Sequence, residues 1–112
     1  MSASGWIGVD LDGTLAKYEG WKGIHHIGDP VPLMITRVKT WLDQGTTVKI
    51  FTARVSVPEP EKSEVIAHIH DWCIKNGLPK LEVTNCKDFG MITLYDDRCV
   101  QVIENTGRLV RP

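Results

Sequence analysis

With 112 residues the chain has room for one domain with a modest core, spanning 1–112, and too few for a second. Its 13 basic and 14 acidic residues leave a net charge of −1, which excludes a broad basic field for nucleic acid or an anionic membrane and leaves room only for a local basic groove. No apolar segment approaches the ~20 residues that span a bilayer, and Met1 to Gly5 lacks the basic and apolar regions of a secretory signal, so a cytoplasmic protein is expected.

In chain order, Trp6-Ile7-Gly8-Val9 is a short apolar run of the kind found in a strand buried on both faces, and Asp10 lies at its carboxyl end. From Pro30 to Gln44, Met34, Ile35, Val38, Trp41 and Leu42 recur at helical spacing, with Asp29-Pro30 as a start signal and Gly45 as a stop. Thr47 to Phe51 is β-branched and aromatic and predicts a second strand ending at Thr52. A second helix is predicted from about Pro60 to Asn76, where Val65, Ile66, Ile69, Trp72 and Cys73 form the apolar stripe and Gly77 then Pro79 end it. Leu81 to Thr84, Ile92 to Tyr95 and Val100 to Ile103 predict a third, fourth and fifth strand.

Strands separated by helical patterns imply right-handed crossovers and a mainly parallel sheet with helices on both faces. Ligands bind beyond the strand carboxyl ends of such sheets, a rule that gathers Asp10, Asp12, Thr52, Lys87, Asp96 and Asp97 at one edge. Cys73, Cys86 and Cys99 are odd in number and lack a Cys-x-x-Cys pair, so they read as structural thiols and not as a disulfide framework or zinc site.

The most informative stretch is Val9-Asp10-Leu11-Asp12-Gly13-Thr14-Leu15. Two carboxylates one residue apart cannot both enter a sheet core, because strand side chains alternate faces and a buried unpaired charge costs several kcal/mol or more. Just past the strand end, Asp10 and Asp12 can share a divalent cation, and Gly13 lets the chain turn away with backbone N–H groups facing the same spot, which suits a phosphate. By themselves, Asp and Gly in these positions also spell an ordinary turn. The adjacent Asp96 and Asp97 at a second strand end would repel without a cation between them.

Asp10-Leu11-Asp12-Gly13-Thr14, then Thr52 closing Val48 to Phe51, then Lys87, then Asp96-Asp97 closing Ile92 to Tyr95, resembles the haloacid dehalogenase-like superfamily of phosphohydrolases over nearly the whole chain. The resemblance implies a three-layer α/β/α Rossmann-like fold without a cap domain and a Mg²⁺-dependent phosphatase acting through an aspartyl-phosphate. It makes Asp10 the nucleophile and Asp12 the general acid and base. Mg²⁺ ligands would be the side chains of Asp10 and of one of Asp96 and Asp97, with the backbone carbonyl of Asp12. Thr52 would donate to a phosphoryl oxygen, and Lys87, which follows the third strand where Lys80 precedes it, would offset charge.

Arg54 and Arg98 lie near these motifs and could reach a second anionic group, although a solvated surface arginine is the ordinary state of each. Residues 19–30 lack either periodicity and read as a flap; the resemblance implies that this insertion leans over the catalytic aspartates, where Trp21, His25 or His26 could touch a leaving group, whereas His68 and His70, at i and i+2, share no helix face and receive no role. Neither gap between motifs holds a cap, so the site should be open, either to a bulky phosphorylated substrate such as a polynucleotide end or phosphoprotein, or to completion by a neighbouring subunit. Tyr95 to Ile103 also resembles the corresponding stretch of the 3′-phosphatase domain of polynucleotide kinase-phosphatases, which adds polynucleotide 3′-phosphates to nucleotides and sugar phosphates as candidates. Two alternatives stay open: a phosphoacceptor signalling module and a non-catalytic subunit that binds a phosphorylated ligand.

Overall fold

Four strands form the frame: β1 (Trp6–Val9), β2 (Thr47–Phe51), β3 (Glu82–Thr84) and β4 (Met91–Tyr95). The computed structural model describes residues 5–111. Neighbours run in the order β3-β2-β1-β4 and every pair is parallel. Two helices, α1 (Pro32–Asp43) and α2 (Glu61–Lys75), connect β1 to β2 and β2 to β3, and a 3-10 turn at Ala53–Val55 follows β2.

Helix α1 opens on Pro32, whose missing N–H is no loss in a first turn, so the start falls two residues later than the Asp29-Pro30 signal suggests. Helix α2 carries Glu61 and Glu64 in its first turn and Lys75 in its last, complementing the helix dipole at both ends. Gly45 and Gly77, with φ of +82° and +80°, follow the two helices and supply the left-handed residue that turns the chain out of each.

Val9 of β1 and Val48 and Ile50 of β2 join Met34, Ile35 and Val38 of α1 and Val65, Ile69 and Cys73 of α2 in a single core cluster. Both crossovers step in the same direction along the sheet, so right-handed connections place both helices on one face. The other face carries Trp6 and Gly8 of β1 and Lys49 of β2, with Lys49 Nζ 4.6 Å from the Trp6 ring centroid. Among the described residues there is no further α-helix to lie on that face, so the helical layer expected on the second side is not seen there.

Beyond β4 the expected fifth strand, Val100 to Ile103, does not join the sheet. Val102 instead forms an isolated antiparallel bridge with Leu109, and Ile103 N donates to Arg108 O at 2.7 Å. Asn105 and Gly107, at φ +65° and +73°, let the chain fold back between them, so this β-branched run pairs with its own continuation. Among the described residues no helix is long and apolar enough to cross a membrane.

Candidate functional site

Strand register positions the acidic residues. Val9 is level with Tyr95 on one side and with Ile50 on the other, so the residues that follow, Asp10, Asp96 and, one step further, Thr52, emerge together at the carboxyl edge. Asp10 N donates to Tyr95 O at 2.9 Å and Thr52 N to Thr84 O at 2.9 Å, which continues the strand pairing up to the site. Because β1 leads away through α1 toward β2 while β4 lies on its other side, a crevice opens where the strand order reverses.

Carboxylate oxygens of Asp10, Asp96 and Asp97 lie within 4.8 Å of one another. Burial, then a hydrogen bond that the protonated Asp10 donates to Asp97, then the charges of Asp96, Asp97 and Asp12 push the Asp10 carboxyl up to about 7. Three converging acid groups with only oxygen donors form a donor set suited to a hard divalent cation.

The loop after β1 is held by its leucines: Leu11 and Leu15 are fully buried, and Leu11 O accepts from Leu15 N at 3.0 Å and Ala16 N at 2.8 Å. Gly13 turns at φ +91°, and a Cβ there would sit 2.6 Å from Asp97 Oδ2, so both the backbone and the neighbouring carboxylate require glycine. Its amide donates to Ala16 O at 2.8 Å, so this N–H, expected to face a phosphate, closes the loop instead. Thr14 has a role that the sequence reading left unassigned. Its hydroxyl donates to Asp97 Oδ1 at 3.1 Å and accepts from Asp97 N at 3.0 Å, tying the β1 loop to the β4 loop.

Arg54, expected either as a solvated surface residue or as a contact for a second anionic group, is the most engaged cation in the site. Its side chain is only 6% exposed. Nε donates to Asp12 Oδ2 at 2.7 Å and Nη2 to Asp12 Oδ1 at 2.8 Å, a bidentate pair, and Nη2 also donates to His26 O at 2.9 Å. The guanidinium carbon lies 4.8 Å from the centroid of Trp21. Nη1 is buried without an acceptor among the described residues. Thr52, itself buried, steers this arginine: its hydroxyl accepts from Arg54 N at 3.1 Å and caps the 3-10 turn.

A cavity of about 650 Å³ is lined by Asp10, Asp12, Thr52, Arg54, Asp96, Asp97 and Arg98 on its polar side and by Tyr18, Trp21, Ile24, Phe51 and Val57 on its apolar side. Arg98 is exposed at the rim, and its backbone N donates to Asp96 Oδ1 at 2.8 Å. Lys87 is exposed and does not line the cavity, contrary to the expected convergence. Residues 85–90 must return from the carboxyl end of β3 to the start of β4. Already at Asp88 they are bonded to Trp6, whose Nε1 donates to Asp88 Oδ1 at 2.9 Å, so Lys87 is drawn away from the carboxyl edge.

The flap is closed at its base by backbone pairing, with Lys17 N donating to Asp29 O and Val31 N to Leu15 O, both at 2.8 Å. Trp72 Nε1 donates to Gly28 O at 2.9 Å and fixes the flap to α2. His25 reaches α2 as well, against His68 and Glu64. Cys86 and Cys99 are exposed and free, and only Cys73 is buried, with its thiol pushed up by burial.

No protein-family model and no curated protein sequence matches this chain. Among solved structures, a conserved protein from Bacteroides thetaiotaomicron is similar, with a TM-score of 0.59 and 19% identity over 87% of this chain and 78% of that one. At that identity the likeness concerns the fold: an α/β domain on an all-parallel sheet.

Proposed function

We propose that the protein is a Mg²⁺-dependent phosphomonoesterase of the haloacid dehalogenase-like type, acting through a phosphoryl group carried on Asp10. The observation that carries this reading is the crowding of Asp10, Asp96 and Asp97 at one strand edge beside a buried arginine with a free donor. Acid groups so placed strain one another unless a cation is shared, and a phosphoryl oxygen is the acceptor that Arg54 Nη1 lacks.

Asp10 and one of Asp96 and Asp97 would hold Mg²⁺, with the Asp12 carbonyl as a further oxygen ligand. When bound, the ion neutralises the repulsion between a carboxylate nucleophile and a phosphate dianion. A carboxylate oxygen of Asp10 attacks phosphorus while the ester P–O bond breaks, and Asp12 gives a proton to the departing oxygen. Asp12 then takes a proton from water, whose oxygen attacks phosphorus and breaks the bond to Asp10, releasing inorganic phosphate and restoring the Asp10 carboxylate and the protonated Asp12. Arg54 engages both Asp12 oxygens in the resting site, so substrate binding must draw the guanidinium toward the phosphate and free Asp12 for proton transfer. In this reading Arg54, with Thr52 donating beside it, supplies the positive charge that the resemblance assigns to Lys87.

The capless form of the fold belongs to the same proposal, in which Trp21 of the flap and the adjacent Tyr18, both lining the cavity, are available to the non-phosphate part of the substrate. The experiment is phosphate release from aryl phosphate, sugar phosphates, nucleotides and 3′-phosphorylated oligonucleotides with Mg²⁺ or EDTA. Metal-dependent release supports the reading and ranks the substrates. Absence of release from every substrate, with the protein folded and Mg²⁺ bound, moves the weight to a phospho-ligand binding or signalling role.

A further inference from the structure

Where the flap meets α2, three groups that take no part in the proposed reaction come together. Glu64 and His68 stand four residues apart on α2 and so project from one face, one turn from each other. His25 reaches them from the flap, across a sequence separation of 43 residues to His68. His25 Nδ1 and His68 Nε2 lie 2.8 Å apart, His25 Nε2 lies 3.4 Å from Glu64 Oε1, and the two imidazole rings meet edge to face with centroids 4.4 Å apart. One ligating atom from each residue falls within 4.8 Å of the other two.

We propose that His25, Glu64 and His68 form a binding site for a divalent cation of the zinc class, which ties the flap to α2. Two imidazole nitrogens and one carboxylate oxygen are the borderline donors that zinc-class ions take, and not the all-oxygen set that Mg²⁺ or Ca²⁺ requires. Glu64 and His68 use the same i and i+4 spacing by which a helix turn presents two ligands to one metal. Zinc–nitrogen bonds of about 2.0–2.1 Å in tetrahedral geometry need the two nitrogens roughly 3.3 Å apart, so the rings have to open by about half an ångström. His25 and Glu64 side chains are 66% and 50% exposed, which leaves the ion a way in and water to complete its coordination. Without a metal the contacts are one hydrogen bond between the rings plus an exposed contact, worth little to a flap that Trp72 of the same helix already holds through Gly28 O. With a metal, His25 is fixed next to His26, whose carbonyl accepts from Arg54, so the ion would hold the segment that positions the arginine.

Co²⁺ titration followed by visible absorption, with Zn²⁺ competition in excess Mg²⁺, tests the site without any measurement of activity, so its result stands apart from that of the phosphatase assay. Asp96→Asn removes part of the carboxylate cluster and serves as the control for binding there. Expected is one Co²⁺ per chain, displaced by Zn²⁺, retained in Asp96→Asn, and weakened by more than about tenfold in His25→Ala and in His68→Ala. Trypsin cleavage after Lys22 in the flap should slow with Zn²⁺ in the unaltered chain and not in His68→Ala. Equal Co²⁺ binding in both histidine variants, or its loss in Asp96→Asn alone, overturns the proposal. Should His68→Ala fail to fold, His25→Ala, in an exposed flap position, decides the question alone.

Discussion

Arg54 grips Asp12 through two parallel hydrogen bonds of 2.7 and 2.8 Å, although 42 residues separate them in sequence. The pair joins the two loops that leave adjacent parallel strands β1 and β2, and it sets the only described cation with a buried free donor beside the three clustered carboxylates. In the reaction proposed above, this arginine passes from a carboxylate to a phosphate of similar shape and charge.

That exchange depends on the planar fork. Arg54→Lys keeps the charge and loses the bidentate geometry, so kcat/KM for an aryl phosphate should fall by about a hundredfold, the usual cost of removing a charge-stabilising donor. Steady-state kinetics on a variant shown by circular dichroism to be folded would check this. Activity within twofold of the unaltered chain would mean that Arg54 does not meet the phosphate.

Metal-free stability should depend on pH through Asp10. Its carboxyl is raised from 3.8 to about 7 by burial, by the Asp97 hydrogen bond and by the neighbouring charges. Between those values the native state keeps a proton that the unfolded chain has lost, so stability falls as pH rises through that window. Thermal melts in EDTA should therefore show a lower Tm at pH 7.5 than at pH 5. Mg²⁺ must displace that proton, so its affinity should rise with pH up to about 7 and level off above it. A Tm that climbs over the same range in EDTA would contradict the assignment.

Gly13→Ala should be costly in two ways. The left-handed backbone costs an alanine about 1–2 kcal/mol, and the new methyl would meet the Asp97 carboxylate at 2.6 Å. Lower stability in denaturant titrations should therefore come with weaker Mg²⁺ binding by calorimetry. A variant that loses stability but binds Mg²⁺ as before would separate the turn from the metal site.

Much of this arrangement can be read from the sequence because strand ends are easy to find. Apolar runs stop at Asp10, Thr52 and Asp96, and parallel pairing then brings those stops to one edge whatever the details of the loops. The position of Lys87 needed a further constraint: the connection over residues 85–90 is too short to linger at the carboxyl edge before Asp88 docks on Trp6 at the other end. The sequence shows Arg54 near the motifs but not its burial against Asp12, because strand alternation no longer governs a side chain three residues beyond Phe51, where the Thr52 cap on Arg54 N directs the backbone. The second layer of helices failed for a topological reason, since sequence shows that crossovers exist but not that both step the same way. The i, i+2 spacing of His68 and His70 gives His68 no role in the sequence; its neighbour Glu64 stands at i−4, and the approach of His25 depends on how the flap folds.

The flap should respond to its tether on α2. Trp72→Phe keeps most of the buried ring and removes the hydrogen bond to Gly28 O, leaving that carbonyl unpaired, which should cost about 1–3 kcal/mol. If the flap shapes the cavity, KM should rise more than kcat falls. An unchanged KM in a destabilised variant would confine Trp72 to the core.

Passage of the phosphoryl group through Asp10 can be caught by intact and peptide mass spectrometry of rapidly acid-quenched protein turning over an aryl phosphate with Mg²⁺. One added phosphoryl group is expected on the peptide carrying Asp10, more abundant in Asp12→Asn, where the attack of water is slowed by about a hundredfold or more, and absent in Asp10→Asn or in EDTA. Metal-dependent phosphate release that continues in Asp10→Asn, with no adduct on that peptide, would contradict this route.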